Sequence, residues 1–142
     1  KPVDHEFYEW MNAPYVRNEQ HKEYLIYKAG ENLLVRSKSE VLIALQLRMK
    51  KIPFRYECLL QVGNTEYYPD FTIIHPKTGK IFYWEHFGKM DDEKYRNKAF
   101  IKMHNYAKEG IIPGANLIMT FETKDHPLDV DMIEKMVSHY LE

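Results

Sequence analysis

Apolar and polar residues alternate in the middle of the chain in a pattern that predicts a β-hairpin. Two runs of strand-forming residues, 71–74 and 81–84, are separated by the short segment 76–79, which carries a proline and a glycine. A turn of that length and composition is typical of a hairpin connection. If His75 pairs with Lys80 across the turn, the register of both strands follows from simple counting.

Continued one position further, this register places two acidic residues, Asp70 and Glu85, opposite each other. Directly opposed side chains have Cβ atoms about 4.5–5.5 Å apart, and like charges there destabilise a sheet. A shared proton, a cationic side chain or a divalent metal would each offset the repulsion, and the metal is the hypothesis to test. The alternative is that the two acids have no shared function: Asp70 only begins a strand, and Glu85 lies at the solvent-exposed end of the other strand. The opposite face of the hairpin is apolar and consists of Phe71, Ile73, Phe82 and Trp84.

The elements around the hairpin predict one mixed domain. Helical signals cover residues 37–51, 91–109 and 128–141, and strand signals cover residues 54–62 and 116–121. The turn at Gly63 and Asn64 is expected to lead from the first of these strands into the hairpin. We therefore expect an α/β (α+β) fold for residues 36–142, with a central mixed sheet flanked by helices.

Residues 1–35 are predicted to form an N-terminal extension that packs on this domain. Phe7, Trp10 and Met11 have helical spacing and indicate a short docking helix. Two short strands, 24–27 and 32–36, are expected to form a small hairpin after it.

Composition narrows the possible functions only modestly. A chain of 142 residues is large enough for one domain with its own core. Lys and Arg number 20 against 21 Asp and Glu, so any surface that binds nucleic acid must be local. The single cysteine, Cys58, excludes an intrachain disulfide and a cysteine-rich zinc module.

No apolar run reaches the length of a membrane span and no signal peptide is visible, so we expect a cytoplasmic protein without a membrane partner. The sequence begins at Lys1 and not at methionine, which leaves open that the chain is a piece of a longer protein.

A third acidic residue, Glu40, has two interpretations. Ser37 and Glu40 have the S-x-x-E spacing of a helix capping box, which accounts for both residues structurally. Alternatively, Glu40 extends from the first turn of its helix to the pair formed by Asp70 and Glu85.

In series, the segments RSKSE (36–40), YPDF (68–71) and YWEHFG (83–88) resemble the PD-(D/E)XK nuclease superfamily, which has the restriction-endonuclease-like fold, and more closely a bacterial branch of it. The resemblance covers residues 36–121, and the order of predicted elements is similar to the αβββαβ core of that superfamily. It implies metal-dependent hydrolysis of a phosphodiester with Mg²⁺ or Mn²⁺ as cofactor.

The resemblance also implies roles for individual residues. Asp70 matches the motif aspartate and would be the main metal ligand. Glu85 matches the second acid, with the backbone carbonyl of His86 as a further ligand, and Glu40 matches a helix glutamate that acts directly or through water. The His86 side chain is expected on the apolar face, as a hydrogen-bonded core histidine.

One position departs from the motif, since Phe87 stands where the superfamily has a catalytic lysine. Some members supply this lysine from elsewhere, and the helix at 91–109 offers Lys102 as first choice and Lys98 as second. Lys38 and Lys89 are weaker candidates for this role.

We expect Arg36, Lys38 and Lys89 to contact nucleic acid. DNA is the expected substrate, with RNA left open, and a homodimer is left open because cleavage of both strands would often need one. The alternative function is a catalytically inactive module of the same fold that binds nucleic acid or a protein partner. Phe87 would then mark the loss of activity.

Overall fold

The computed structural model describes residues 4–142, and the first three residues of the expected extension lie outside this range. Its centre is a four-stranded sheet with the strand order β3-β6-β7-β8. The first three strands are antiparallel, and β8 runs parallel to β7. The strands are β3 (Phe54–Tyr56), β6 (Phe71–Ile74), β7 (Ile81–Phe87) and β8 (Leu117–Phe121). The prediction of a mixed α+β fold with a central mixed sheet is therefore confirmed.

Helices cover both faces of this sheet. The helices of the main domain are α2 (Lys38–Met49), α3 (Glu93–Lys108) and α4 (Val130–Leu141). The larger core cluster joins α2 and α4 to the face that carries Phe71 and Trp84. A smaller cluster around Tyr106 of α3 lies on the other face. No helix within residues 4–142 is long and apolar enough to cross a membrane.

The central hairpin has the predicted register. Phe71 lies opposite Trp84 and the pairing runs inward to the turn. The His75 N–H donates to the Lys80 carbonyl at 2.8 Å, and the Gly79 N–H donates to the His75 carbonyl at 2.9 Å. Gly79 has φ +74°, which favours glycine and explains this residue in the turn. The hairpin therefore ends with Asp70 and Glu85 one step beyond its last pair.

The strand predicted for residues 54–62 is wrong, because the chain bends in its middle. Glu57 has φ +50°, which ends β3, and the chain then forms a separate strand, β4 (Leu60–Val62). This strand pairs with β5 (Thr65–Tyr67) in a two-stranded sheet. The turn at Gly63 thus leads into β5 and not into the central hairpin.

The helix ends follow the expected capping chemistry. The Asp92 side chain accepts a hydrogen bond from the Tyr95 N–H and begins α3, while Gly110, with φ +83°, follows its end. Ser37 caps α2 and Asp129 caps α4 in the same way. Capping by Ser or Asp satisfies backbone N–H groups that the first helical turn leaves free.

The N-terminal segment has shorter elements than predicted, because each strand of its hairpin has two residues. Its elements are α1 (His5–Asn12), a 3₁₀ turn (Lys22–Tyr24), β1 (Tyr27–Lys28) and β2 (Leu34–Val35). The segment is attached to the main sheet through Arg55 on β3, which donates to the Trp10 carbonyl at 2.8 Å and lies 4.4 Å from the centre of its ring.

Candidate active site

Three carboxyl groups from three elements meet at one end of the central hairpin. Asp70 precedes β6, Glu85 lies on β7 and Glu40 lies in the first turn of α2. The His86 N–H donates to Asp70 Oδ2 at 2.7 Å, and Glu40 lines the same groove as Asp70, close enough for its charge to act on the Asp70 carboxyl. The structure thus brings together the three acids that the sequence pattern selects.

This crowding raises the pKa of two of the carboxyl groups. Burial is the main cause of the strongly raised pKa of Asp70, and the charges of Glu85 and Glu40 add to it. The pKa of Glu40 is also raised, chiefly by burial. When carboxyl groups lie this close together, a proton or a cation compensates their mutual repulsion. The cluster therefore favours either a retained proton or a bound cation.

The Glu40 side chain does not complete the capping box. Ser37 Oγ accepts a hydrogen bond from the Glu40 N–H at 3.2 Å, so the serine caps the helix as expected. Glu40 Oε1, however, accepts from the Arg36 N–H at 3.0 Å and from the Tyr56 hydroxyl at 2.8 Å. Capping explains Ser37 alone, and the glutamate carboxyl turns inward to Tyr56 and Asp70.

Glu85 is held by two residues of α3. Only 2% of Glu85 is exposed, and its Oε2 accepts a hydrogen bond from the Tyr106 hydroxyl at 2.8 Å. The Lys102 Nζ lies 3.6 Å from the same oxygen. Burial lowers the pKa of Lys102, but the charges of Glu85 and Asp70 outweigh it and leave the pKa raised. The site therefore contains a charged ammonium group beside two acids.

The two candidate lysines differ in position. Lys102 reaches the acids, whereas Lys98, one turn earlier on α3, is exposed and has no ion-pair or hydrogen-bond contact with them in the part of the chain that the structure describes. Phe87 is 3% exposed and stacks on Phe121 of β8, with ring centroids 5.3 Å apart. Phe87, which occupies the position of the motif lysine, therefore packs β7 against β8.

An open groove of about 950 Å³ gives access to part of the cluster. Asp70 and Glu40 line it together with His86, whereas Glu85 lies behind them. Two exposed lysines, Lys38 and Lys89, lie along the same groove. Asp70 is therefore partly accessible to solvent from the groove.

A chain of polar side chains, which sequence reasoning missed, lies in the groove beside the acids. The His86 ring lies 2.8 Å from Thr120 Oγ1 and 2.6 Å from Glu122 Oε1, and the Ser39 hydroxyl donates to the same glutamate oxygen. The Trp84 indole N–H donates to Thr120 at 3.1 Å. His86 is thus a buried, hydrogen-bonded histidine, as predicted.

This chain connects α2 to the ends of β7 and β8. Because Trp84 donates to Thr120, the threonine hydroxyl is free to donate to His86 Nδ1, which leaves the Nε2–H to donate to Glu122. Burial lowers the pKa of His86, although Glu122 opposes this. The histidine is therefore neutral at pH 7, and it holds β7 and β8 in register at the groove.

Arg36, predicted as a phosphate contact, lines the groove, but its guanidinium is engaged by residues of this chain. Its guanidinium donates to both carboxylate oxygens of Glu57, at 2.7 and 3.1 Å, and to the backbone carbonyls of His21 and Gln20. Of its side chain 19% is exposed, against 7% for that of Glu57. These acceptors occupy the donors of Arg36, so its contact with a phosphate stays a prediction.

The donor chemistry of the cluster fits a hard divalent cation. In residues 4–142, the hydrogen bonds that other residues donate to each acid end on one of its two carboxyl oxygens: Asp70 Oδ2, Glu85 Oε2 and Glu40 Oε1. The second oxygen of each acid can therefore serve as a metal ligand. Within residues 4–142, no group of three or more His, Cys, Asp or Glu side chains has the arrangement of a metal site. Mg²⁺, however, typically binds to one or two carboxylates and keeps several waters. A two-carboxylate site on Asp70 is therefore compatible with these residues.

Comparison of the chain with protein-family models, with curated proteins and with solved structures returns no match. The function must therefore be inferred from the acid cluster, its lysine and the groove.

Proposed function

We propose that this protein is a metal-dependent nuclease with a restriction-endonuclease-like, PD-(D/E)XK fold, which hydrolyses phosphodiester bonds of DNA. The observation that carries the proposal is the convergence of Asp70, Glu85 and Glu40 with the ammonium group of Lys102. A cluster of like charges lowers stability, so a protein without a use for it gains nothing by keeping it.

The order of elements supports this fold. The helix α2, the strands β3, β6 and β7, the helix α3 and the strand β8 follow one another as in an αβββαβ core. The β4–β5 pair is an insertion between the first and second core strands. The three acids lie on the helix, at the start of the second strand and on the third strand, as the superfamily motif requires.

Asp70 and Glu85, together with the backbone carbonyl of His86, would hold the metal ion, and Glu40 would act on it through water. When bound, Mg²⁺ or Mn²⁺ would supply Lewis-acid polarisation of water and of the phosphoryl oxygens. Tyr106 holds the Glu85 carboxylate through its hydrogen bond.

Lys102 takes the place of the missing motif lysine in this proposal. Its ammonium group is anchored by Glu85 and is kept protonated by the acids around it. A cation in that position stabilises negative charge that develops on the phosphate and orients the attacking water. Phe87 cannot do either, because its side chain has neither a charge nor a hydrogen-bond donor, and its ring is packed against Phe121.

Lys38 and Lys89 provide the local positive charge that binding of DNA needs. Both line the groove and are exposed, and neither has an ion-pair partner among residues 4–142. Because the net charge of the chain is −1, phosphate contacts of this kind must come from a few residues around the site.

The burial of Phe87 favours one alternative, an inactive module of the same fold that binds DNA or a protein partner. In that case the acids would be a remnant, and Lys102 would serve only to neutralise Glu85. The two functions differ in whether the bound DNA is cleaved.

The test is cleavage of supercoiled plasmid, linear duplex and single-stranded DNA in Mg²⁺, Mn²⁺ or EDTA. Asp70→Asn is compared with wild type, and Asp125→Asn, which changes an exposed acid outside the site, is the matched control. We expect metal-dependent cleavage by wild type and Asp125→Asn and none by Asp70→Asn. Cleavage by all three proteins would contradict the proposal, and DNA binding without any cleavage would favour the inactive module.

A further inference from the structure

One wall of the groove is built from apolar side chains that remain in contact with solvent. Tyr24 is 58% exposed and Ile26 is 64% exposed, and both line the groove together with Tyr27. These residues belong to the N-terminal segment, whereas the acids belong to the main domain. Large apolar side chains that cluster in a polar groove indicate a surface that another molecule covers.

The aromatic part of this wall is already arranged for stacking. The Tyr24 ring stacks on the ring of His21, with centroids 5.6 Å apart and an angle of 24° between the planes. Most of the tyrosine side chain is nevertheless open to solvent. A nucleobase has a flat face of similar size and can extend such a stack whatever its sequence.

The backbone that carries this stack is held firmly. His21 has φ +52°, an unusual conformation for a residue with a side chain. Arg36 donates to the His21 carbonyl at 2.7 Å and to the Gln20 carbonyl at 2.8 Å. The same arginine directly precedes the cap of α2, whose first turn carries Glu40. Arg36 thus fixes the aromatic wall relative to the acids.

We propose that the occupant of this groove is unpaired DNA, with one base stacked on Tyr24 and with phosphates bound by Lys38 and Lys89. This inference rests on the proposed nuclease function and specifies its substrate. In a duplex the bases are stacked on one another and present only their edges, so no free base face is left for the Tyr24 ring to stack on. In a single strand each base has a free face, and stacking on an aromatic ring increases affinity about 5- to 150-fold per base.

The test is fluorescence anisotropy in EDTA with a labelled 20-nucleotide DNA strand and with the duplex of the same sequence. We expect wild type to bind the single strand at least about fivefold more tightly than the duplex, given the size of one stacking contact. Tyr24→Ala should lose about 5- to 150-fold in affinity for the single strand and little for the duplex, while Tyr24→Phe should bind within about twofold of wild type.

Phe100→Ala is the matched control, because Phe100 is 72% exposed and stacks on His104 but lies outside the groove. It should bind both DNA forms as wild type does. Preference for the duplex, or single-strand affinity that Tyr24→Ala leaves unchanged, would overturn the inference.

Binding in EDTA separates this inference from the proposed function. Tyr24-dependent binding of the single strand without cleavage in Mn²⁺ would support the inference and contradict the nuclease. Metal-dependent cleavage confined to tightly bound duplex would support the nuclease and contradict the inference.

Discussion

Replacing Asp70 with asparagine should make the metal-free protein more stable while removing its activity. The Asp70 carboxyl is crowded by Glu85 and Glu40, and burial together with these charges raises its pKa. Asparagine is nearly the same size, and its side-chain oxygen can still accept the hydrogen bond from the His86 N–H. The substitution therefore removes a repulsive charge and keeps the local hydrogen bond.

The magnitude follows from the geometry. If the two carboxylates have the spacing of directly opposed side chains, about 5 Å, they repel by about 3 kcal/mol at an effective dielectric constant of about 20. Lys102 offsets part of this from 3.6 Å, although its side chain is 35% exposed and the interaction is screened by solvent. We therefore expect a gain of about 1–2 kcal/mol in the free energy of unfolding, or about 3–8 °C in Tm for a chain of this size.

The gain should depend on pH. The pKa of Asp70 is higher in the folded than in the unfolded protein, so its contribution to wild-type stability is complete below the unfolded pKa of about 3.9. That contribution is lost as pH rises through the folded pKa. Asparagine does not titrate, so the two proteins should be similar near pH 4 and should differ most near pH 8.

The assay is thermal and urea unfolding in EDTA across this pH range, with Asp125→Asn as a control that should follow wild type. Lower stability of Asp70→Asn at pH 8, or a difference that does not change with pH, would refute the description of the site as a repulsive acid cluster.

Three further substitutions test other residues. Lys102→Met should slow single-turnover cleavage about 10²- to 10³-fold because it removes a charge that stabilises the transition state, whereas Lys98→Met should change it less than about twofold; equal effects would exclude Lys102 from its role. Glu122→Gln should lower the free energy of unfolding, measured in urea, by about 1.5–3 kcal/mol, because His86 and Ser39 both lose a charged hydrogen-bond acceptor. An unchanged free energy of unfolding would contradict these contacts. Arg36→Met should lower the free energy of unfolding by about 3–5 kcal/mol and leave the salt dependence of DNA binding unchanged. Lys38→Ala, in contrast, should reduce the slope of log K for DNA binding against log salt concentration by about one. The reverse pattern would assign the phosphate contact to Arg36 and not to Lys38.

Local patterns were sufficient to predict the hairpin and its acidic pair. The turn defines the register, and strand parity then decides which residues share a face, so Asp70 and Glu85 could be placed from nearby residues alone. Lys102 could be selected in the same way, because helical spacing brings it level with the strand ends.

Other features depend on contacts between residues far apart in the chain. Arg36 turns inward because Glu57, 21 positions later, supplies a buried carboxylate. The break between β3 and β4 depends on the positive φ of that same glutamate, for which the sequence gives no signal. Glu122 reaches Ser39 across 83 positions, a separation at which local periodicity carries no information.

The orientation of Glu40 was a choice between two sound local explanations. Its spacing from Ser37 fits a capping box, and only the positions of Tyr56 and Asp70 decide that the carboxyl turns into the site. Because these partners come from two other elements, helix-capping rules alone could not select between the alternatives.

The central claim is that the acid cluster holds a divalent cation, and calorimetric titration of Mn²⁺ into the DNA-free protein tests it most directly. Wild type and Asp125→Asn should bind Mn²⁺ and release protons, because burial raises the pKa of Asp70 and of Glu40, whereas a bound cation favours the ionised carboxylates. Asp70→Asn should show at most weak binding. Equal Mn²⁺ affinity in wild type and Asp70→Asn, or no binding by wild type at pH 8, would contradict the claim.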